Sequence, residues 1–153
     1  MRVMAIKRFN REDILNFVRP EKRKVVARLA ELKPTGISFN DSIFRVLYDG
    51  KVLRDKVIIK PHYAWVGGWS RKNPVIYIDD DILASPDHKE LLSLLLHEAV
   101  ERHVATTYDL HEYDEAHIVA ESVEFNWAVN HGVSYHDYDI LTDLIRKKES
   151  NEP

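Results

Sequence analysis

Cysteine is absent from the 153 residues. Its absence excludes disulfides and any thiolate-held metal, so a metal bound by this chain needs histidine and carboxylate ligands. The sequence also lacks any run of about 18 apolar residues, which excludes a membrane-spanning helix. The opening MRVMAIKRFNRED lacks the apolar core of a signal peptide, and a cytoplasmic location is the resulting expectation. There are no internal repeats and no low-complexity linker. What remains is an ordinary globular balance, 44% hydrophobic and 31% charged. The length suggests one domain over residues 1–153 with room for one core.

The net charge of −3 hides an asymmetry. Residues 1–60 carry 15 Lys and Arg against 7 acids, residues 61–153 carry 7 against 18, and all eight His lie after residue 60. A basic amino-terminal part can meet an acidic partner, nucleic acid or the protein's own acidic half.

Along the chain, residues 2–9 read as a short first strand or an arm. Asn10 is placed as an N-cap with Asp13 three positions on, an approximate capping box that opens a helix Arg11–Val18. Pro20 breaks that helix and suits the first turn of the next, which runs to about Leu32 with Val25, Val26, Leu29 and Leu32 apolar. Its other face holds Lys22, Arg23, Lys24 and Arg28, a surface for nucleic acid or simply a solvated face. Lys33-Pro34-Thr35-Gly36 signals a turn. Ile43–Tyr48 alternates as a strand, Asp49-Gly50 is a two-residue hairpin turn and Lys51–Lys60 supplies the return strand. Gly67-Gly68 between Trp65 and Trp69 reads as a flexible loop, either a groove wall or lid or a segment anchored over the core by its two Trp.

Val75–Ile78 is a further strand, and Asp79-Asp80-Asp81 after it are metal ligands or a solvated strand end. Ser85 or Asp87 caps a long helix from about Pro86 to Tyr108, apolar over more than one stripe and therefore central. Asp109–Asp114 turns the chain into a second long helix, Glu115–Asn130, which His131-Gly132 ends with glycine in the left-handed cap. A last helix spans about His136 to Lys148, before the tail SNEP. These parts divide into a basic helical segment (1–33), a core (40–130) and a carboxy-terminal helix (131–153).

The chemistry concentrates between Leu91 and Trp127. His97, Glu98 and Glu101 form an H-E-x-x-E cluster, and His117 and Glu121 an H-x-x-x-E pair. Spacing i, i+4 puts two side chains on one helical face a turn apart. Two packed antiparallel helices then aim two imidazoles and two or three carboxylates at one point. His97 and Glu98 follow the apolar run LLSLLL directly, where unpaired polar groups would cost several kcal/mol. His97, His117 and one of Glu101 or Glu121 give two nitrogens and a carboxylate with a fourth position for water, the composition of a catalytic zinc site. The other carboxylate is available to orient an imidazole. Iron, manganese or a two-metal centre is compatible with the same ligands. His103 and His111 fall off the cluster face or in the turn and read as surface residues, His136 is a reserve ligand, and Tyr108, Tyr113 and Tyr135 are candidates for stabilising an oxyanion.

A helix bearing His-Glu-x-x-His is the common zinc hydrolase signature, and here Glu101 stands at the place of the second His. Nineteen residues separate Glu101 from Glu121. In this spacing the stretch from about residue 75 to 130 resembles the gluzincin, thermolysin-like branch of the zincin metallopeptidases. The H-E-x-x-E and later A-H-x-x-A-E patterns are also similar to small zincin-like proteins of archaea and phages. The resemblance implies His97 as a first ligand, Glu98 as general base, Glu101 at the second ligand position and Glu121 as the third, carboxylate ligand. His117 has no counterpart and supplies the imidazole that position 101 lacks. The expected fold is α+β, a small, mostly antiparallel sheet packed on a central pair of helices. The expected function is a zinc-dependent, peptidase-like hydrolase acting on a peptide or protein. The alternative is a non-catalytic zincin-like interaction or nucleic-acid-associated regulatory module.

Overall fold

The computed structural model describes residues 16–61, 67–84 and 88–133. The expected strand at 2–9, most of the helix Arg11–Val18, Trp65, the caps Ser85 and Asp87, the last helix with Tyr135 and His136, and the tail lie outside the described residues. Residues 16–18 form turn.

The fold is α+β. A 3-10 turn at Pro20–Lys22 leads into helix α1 (Arg23–Glu31). Strands β1 (Thr35–Asn40), β2 (Ile43–Tyr48) and β3 (Lys51–Lys60) follow, then β4 (Gly67–Trp69) and β5 (Val75–Asp79). Another 3-10 turn, Asp80–Ala84, precedes α2 (His88–Tyr108). A π-helical turn, Glu112–Ala116, introduces α3 (His117–Asn130). The sheet order is β1-β2-β3-β5-β4, antiparallel except for the β3–β5 pair. Among the described residues no helix is long and apolar enough to cross a membrane.

The turns explain the hairpins. Asp49 and Gly50 both take positive φ, 55° and 68°, the conformation whose twist matches that of the flanking strands. Asp41 and Ser42 do the same at 52° and 63° and close a β1–β2 hairpin absent from the sequence expectation. Lys33-Pro34-Thr35-Gly36 corrects in the same way. Lys33 and Pro34 form an irregular connection rather than a turn, and Thr35 pairs with Leu47 and opens β1, with a bulge before Ser38 absorbing Gly36. Gly67-Gly68 is not a loop either. Both pair with β5, opposite Ile78 and Tyr77.

Alternation sets the faces. Phe44, Val46, Tyr48, Val57, Ile76 and Ile78 point to one side and are buried against the helices. Fourteen of the 21 residues of α2 are buried, which makes it the central element, packed between α3 and the sheet. Each large apolar side chain buried there contributes about 1.5–3 kcal/mol.

Asp49 ties the hairpin to the helices. Its carboxylate accepts from Arg28 (3.3 Å) and from the Tyr108 hydroxyl, and its Oδ2 lies 3.1 Å from His103 Nε2. His103 Nδ1 in turn lies 3.2 Å from Thr107 Oγ1. This corrects the surface reading of His103, which is buried because α2 has almost no exposed side for it to occupy. Burial holds its pKa below the ordinary value despite Asp49. The hydroxyl of Tyr108, turned to Asp49, is spent far from the oxyanion role considered for it. His111 is exposed as expected.

Arg19 fastens the amino-terminal segment to the turn before α3. Its Nε and Nη2 donate to the buried Glu115 at 2.9 and 2.6 Å, and its backbone N–H at 3.0 Å. The backbone N–H of His111 donates to the same carboxylate. Burial pushes the Glu115 carboxyl up, but these donors overcome it and hold the group at about 2, against an ordinary 4.5. A depressed carboxylate contributes stability that is present above its unfolded value and is lost as pH falls through the folded one. The pair therefore acts between about pH 4.5 and 2. Arg19→Gln is expected to unfold at a higher pH than the parent in an acid titration followed by far-UV circular dichroism. Coincident acid midpoints would show that the clamp does not stabilise the fold.

Candidate metal centre

Helices α2 and α3 pack against each other and bring together the residues expected to meet. His97, Glu98 and Glu101 come from the middle of α2, His117 and Glu121 from the first half of α3. His97, Glu98, Glu101 and Glu121 are buried, and His117 is half-buried. The two imidazole rings lie edge to face with centroids 4.9 Å apart.

Glu101 and Glu121 approach this pair from different nitrogens. Glu101 Oε2 sits between the rings, 3.1 Å from His97 Nε2 and 2.9 Å from His117 Nδ1. Glu121 Oε1 lies 3.5 Å from His97 Nδ1 and 3.7 Å from His117 Nε2. Ligand atoms about 2.0–2.2 Å from a common ion lie roughly 3–3.6 Å from one another, and the carboxylate-to-imidazole distances of both sets fall within about 0.1 Å of that range. His97, His117 and Glu121 also offer one ligand atom each, all within 4.8 Å of one another. Glu98 Oε2 lies 3.7 Å from His97 Nε2, on the Glu101 side.

Two residues complete the site and were not foreseen. Glu124, fully buried one turn after Glu121, places Oε1 2.8 Å from His97 Nδ1. A carboxylate there fixes the tautomer and orientation of a ligating imidazole. The signal was present as E-x-x-E, which occurs at Glu98–Glu101 and again at Glu121–Glu124. Trp69 donates its indole N–H to Glu101 Oε1 at 2.8 Å, leaving Oε2 for the imidazoles. It can do so because β4 is a strand, with Trp69 opposite the inward-facing Ile76. Gly67 lies close on the same face: a Cβ there would stand 3.1 Å from both Glu98 Cγ and Leu94 Cδ1 and would press on those side chains.

Among the described residues the cluster is rich in carboxylate. Four carboxylates (Glu98, Glu101, Glu121 and Glu124) face two imidazoles, which carry at most two positive charges. Burial works to keep His97 neutral, yet the hydrogen bonds of Glu101 and Glu124 raise its pKa well above the ordinary value. Burial likewise pushes Glu101 up, and the bonds from His117 and His97 hold it well below the usual carboxylate range. Buried charge is costly unless it is paired or bound to a metal.

The acidic run after β5 has a local use. Asp79 Oδ1 accepts from the Asp81 backbone N–H at 2.8 Å, closing the 3-10 turn, although Asp79, Asp80 and Asp81 also lie near enough to share an ion. The side chain of Tyr113 lies outside the described residues. No family model matches the chain, and no curated protein or solved structure matches it either.

Proposed function

We propose that the chain is a metal-dependent, peptidase-like hydrolase, with zinc as the first candidate ion. The observation that carries the reading is the convergence of His97, His117 and Glu121 from two helices, with one ligand atom of each within 4.8 Å of the others. His97, His117 and either Glu121 or Glu101 would hold the ion; with Glu101, on the Nε2 side of His97, Glu124 would orient the ring from Nδ1. When bound, such an ion acidifies water toward neutral pH and polarises a carbonyl. Glu98 is the base in this reading: it takes a proton at Oε2 and returns it to the leaving amine.

The sheet supports a place for the substrate in this reading. Among the described strands β4 lies at the edge of the sheet, and its Gly67 lies directly over Glu98. An extended peptide that paired with that edge of β4 would run its backbone past that carboxylate. Iron and manganese suit the same ligands, since His and carboxylate sets do not select one metal by affinity alone.

Elemental analysis of gently purified protein is expected to find stoichiometric zinc, iron or manganese. Protein that carries none, and takes up none of the three on dialysis, would remove the basis of this reading. Metal without hydrolysis of any peptide would favour the non-catalytic module instead.

A further inference from the structure

The helices cover one face of the sheet. On the other face the register sets Leu47 opposite Val52, Arg45 opposite Arg54, Ile43 opposite Lys56 and Ile58 opposite Tyr77. Arg45, Arg54, Lys56 and Lys60 are exposed there, with Leu47 and Val52 45% and 52% exposed beside them.

Several features of this face run against the stability of the free protein. Like charges directly opposite each other on neighbouring strands are destabilising, and Arg45 faces Arg54 in that way. Exposed Lys and Arg commonly protect edge strands from unwanted pairing, but β2 and β3 are inner strands. Among the described strand residues on this face the only acid is Asp79, which is buried and caps its own turn. Four cations therefore stand together on a chain whose net charge is −3. The basic helix α1 is different. Arg23 donates to Val18 O and Arg28 to Asp49, and Lys22 just before the helix donates to Tyr108 O, so two of its three cations and the one that precedes it are engaged within the fold.

We propose that this open face of the sheet docks single-stranded nucleic acid. Arg45, Arg54, Lys56 and Lys60 meet phosphates, and the apolar ground between them, Val52 and Ile58, lies under bases; Lys60 Nζ, 4.5 Å from the centroid of the Tyr77 ring, holds the place over that ring that a further base would take. Along β3 the pattern Val52-Arg54-Lys56-Ile58-Lys60 alternates charge with apolar surface. A single strand presents the same two chemistries, a charged backbone and flat bases. From Arg54 to Lys60 the stripe is about 20 Å long at ~3.3 Å per residue, room for about four nucleotides. An acidic peptide would use the charges and leave the apolar ground bare. The inference does not depend on the metal centre, which lies beneath the opposite face.

The test is fluorescence anisotropy of a labelled oligothymidylate of about twelve nucleotides, titrated with the full chain from about 50 to 300 mM KCl. Four phosphate contacts predict a slope of log K against log salt near about −2.8. Arg54→Gln combined with Lys56→Gln should bring it to about −1.4 and weaken binding at low salt, while Lys24→Gln on α1 should change neither. Should the double variant melt early, Arg45→Gln, which relieves the like-charge pair, should lower the slope by about 0.7. Absence of binding at about 50 mM salt, or a slope unchanged in the folded variants, overturns the proposal. Binding of polyglutamate without oligothymidylate also overturns it and assigns the face to an acidic protein.

Discussion

Exchanging Glu98 for Gln is expected to leave metal content intact and to cut peptide hydrolysis about 10²–10⁴-fold. The two halves of this expectation have separate grounds. Metal content should persist because Glu98 is the more distant carboxylate, 3.7 Å from His97 Nε2, where Glu101 approaches to 3.1 Å. Turnover should fall because an amide has no basic oxygen with which to take a proton from water. Gln is the informative replacement since it keeps the shape that packs under Gly67 and beside Leu94. Alanine would open a gap beneath β4 and confound chemistry with position. Metal by elemental analysis and cleavage of a peptide library by mass spectrometry read the two properties independently. Full turnover in the variant would remove Glu98 from the role of base, and loss of the metal would make it a ligand.

The parts of this site that were legible in the sequence are those in which chemistry and helical period coincide. His97 with Glu101, and His117 with Glu121, announce themselves because an i, i+4 pair of ligand types after an apolar run has few inexpensive alternatives. Glu124 was not legible alone. A carboxylate three positions after another is the ordinary dress of a solvated helix face, and only packing α3 on α2 turns it toward His97. Trp69 was hidden for a different reason. Two glycines ahead of it suggest a loop, and strand pairing with Val75–Asp79 is a tertiary fact that local propensity does not contain. His103 was misjudged because a helix buried on nearly all sides leaves no surface for a histidine outside the cluster.

At the level of the fold, the Asp49-Gly50 hairpin was plain because both residues tolerate positive φ. The Asp41-Ser42 turn was missed because serine is an unusual choice there. The sheet also explains why a buried charge cluster is tolerated. Core apolar residues on α2 (Leu95, Leu96, Val100 and Val104) are buried close to the chain positions of His97 and Glu101. The helix is thus held by hydrophobic packing that does not depend on the polar site. That separation makes the site's own contribution measurable.

Stripping the metal is expected to lower the melting temperature by roughly 5–10 °C, and His97→Ala to abolish that response altogether. A ligand present at a hundred times its dissociation constant stabilises the folded state by about 2.7 kcal/mol. Each kcal/mol moves the transition of a domain of this size by about 2–4 °C. His97 is the residue to remove because every carboxylate of the cluster converges on it: Glu98 and Glu101 near Nε2, Glu121 and Glu124 near Nδ1. His103→Ala is the matched control, another buried histidine of α2 but one bound to Asp49. It should destabilise the protein while keeping the full upward shift on adding zinc. The size of that shift should grow between about pH 6 and 8, because the ion must displace the proton that Glu101 and Glu124 help hold on His97. Calorimetry with and without chelator, across that range, decides the matter. Melting curves indifferent to chelator and to added zinc, iron and manganese would mean that imidazole and carboxylate are satisfied by one another, with no cation between them.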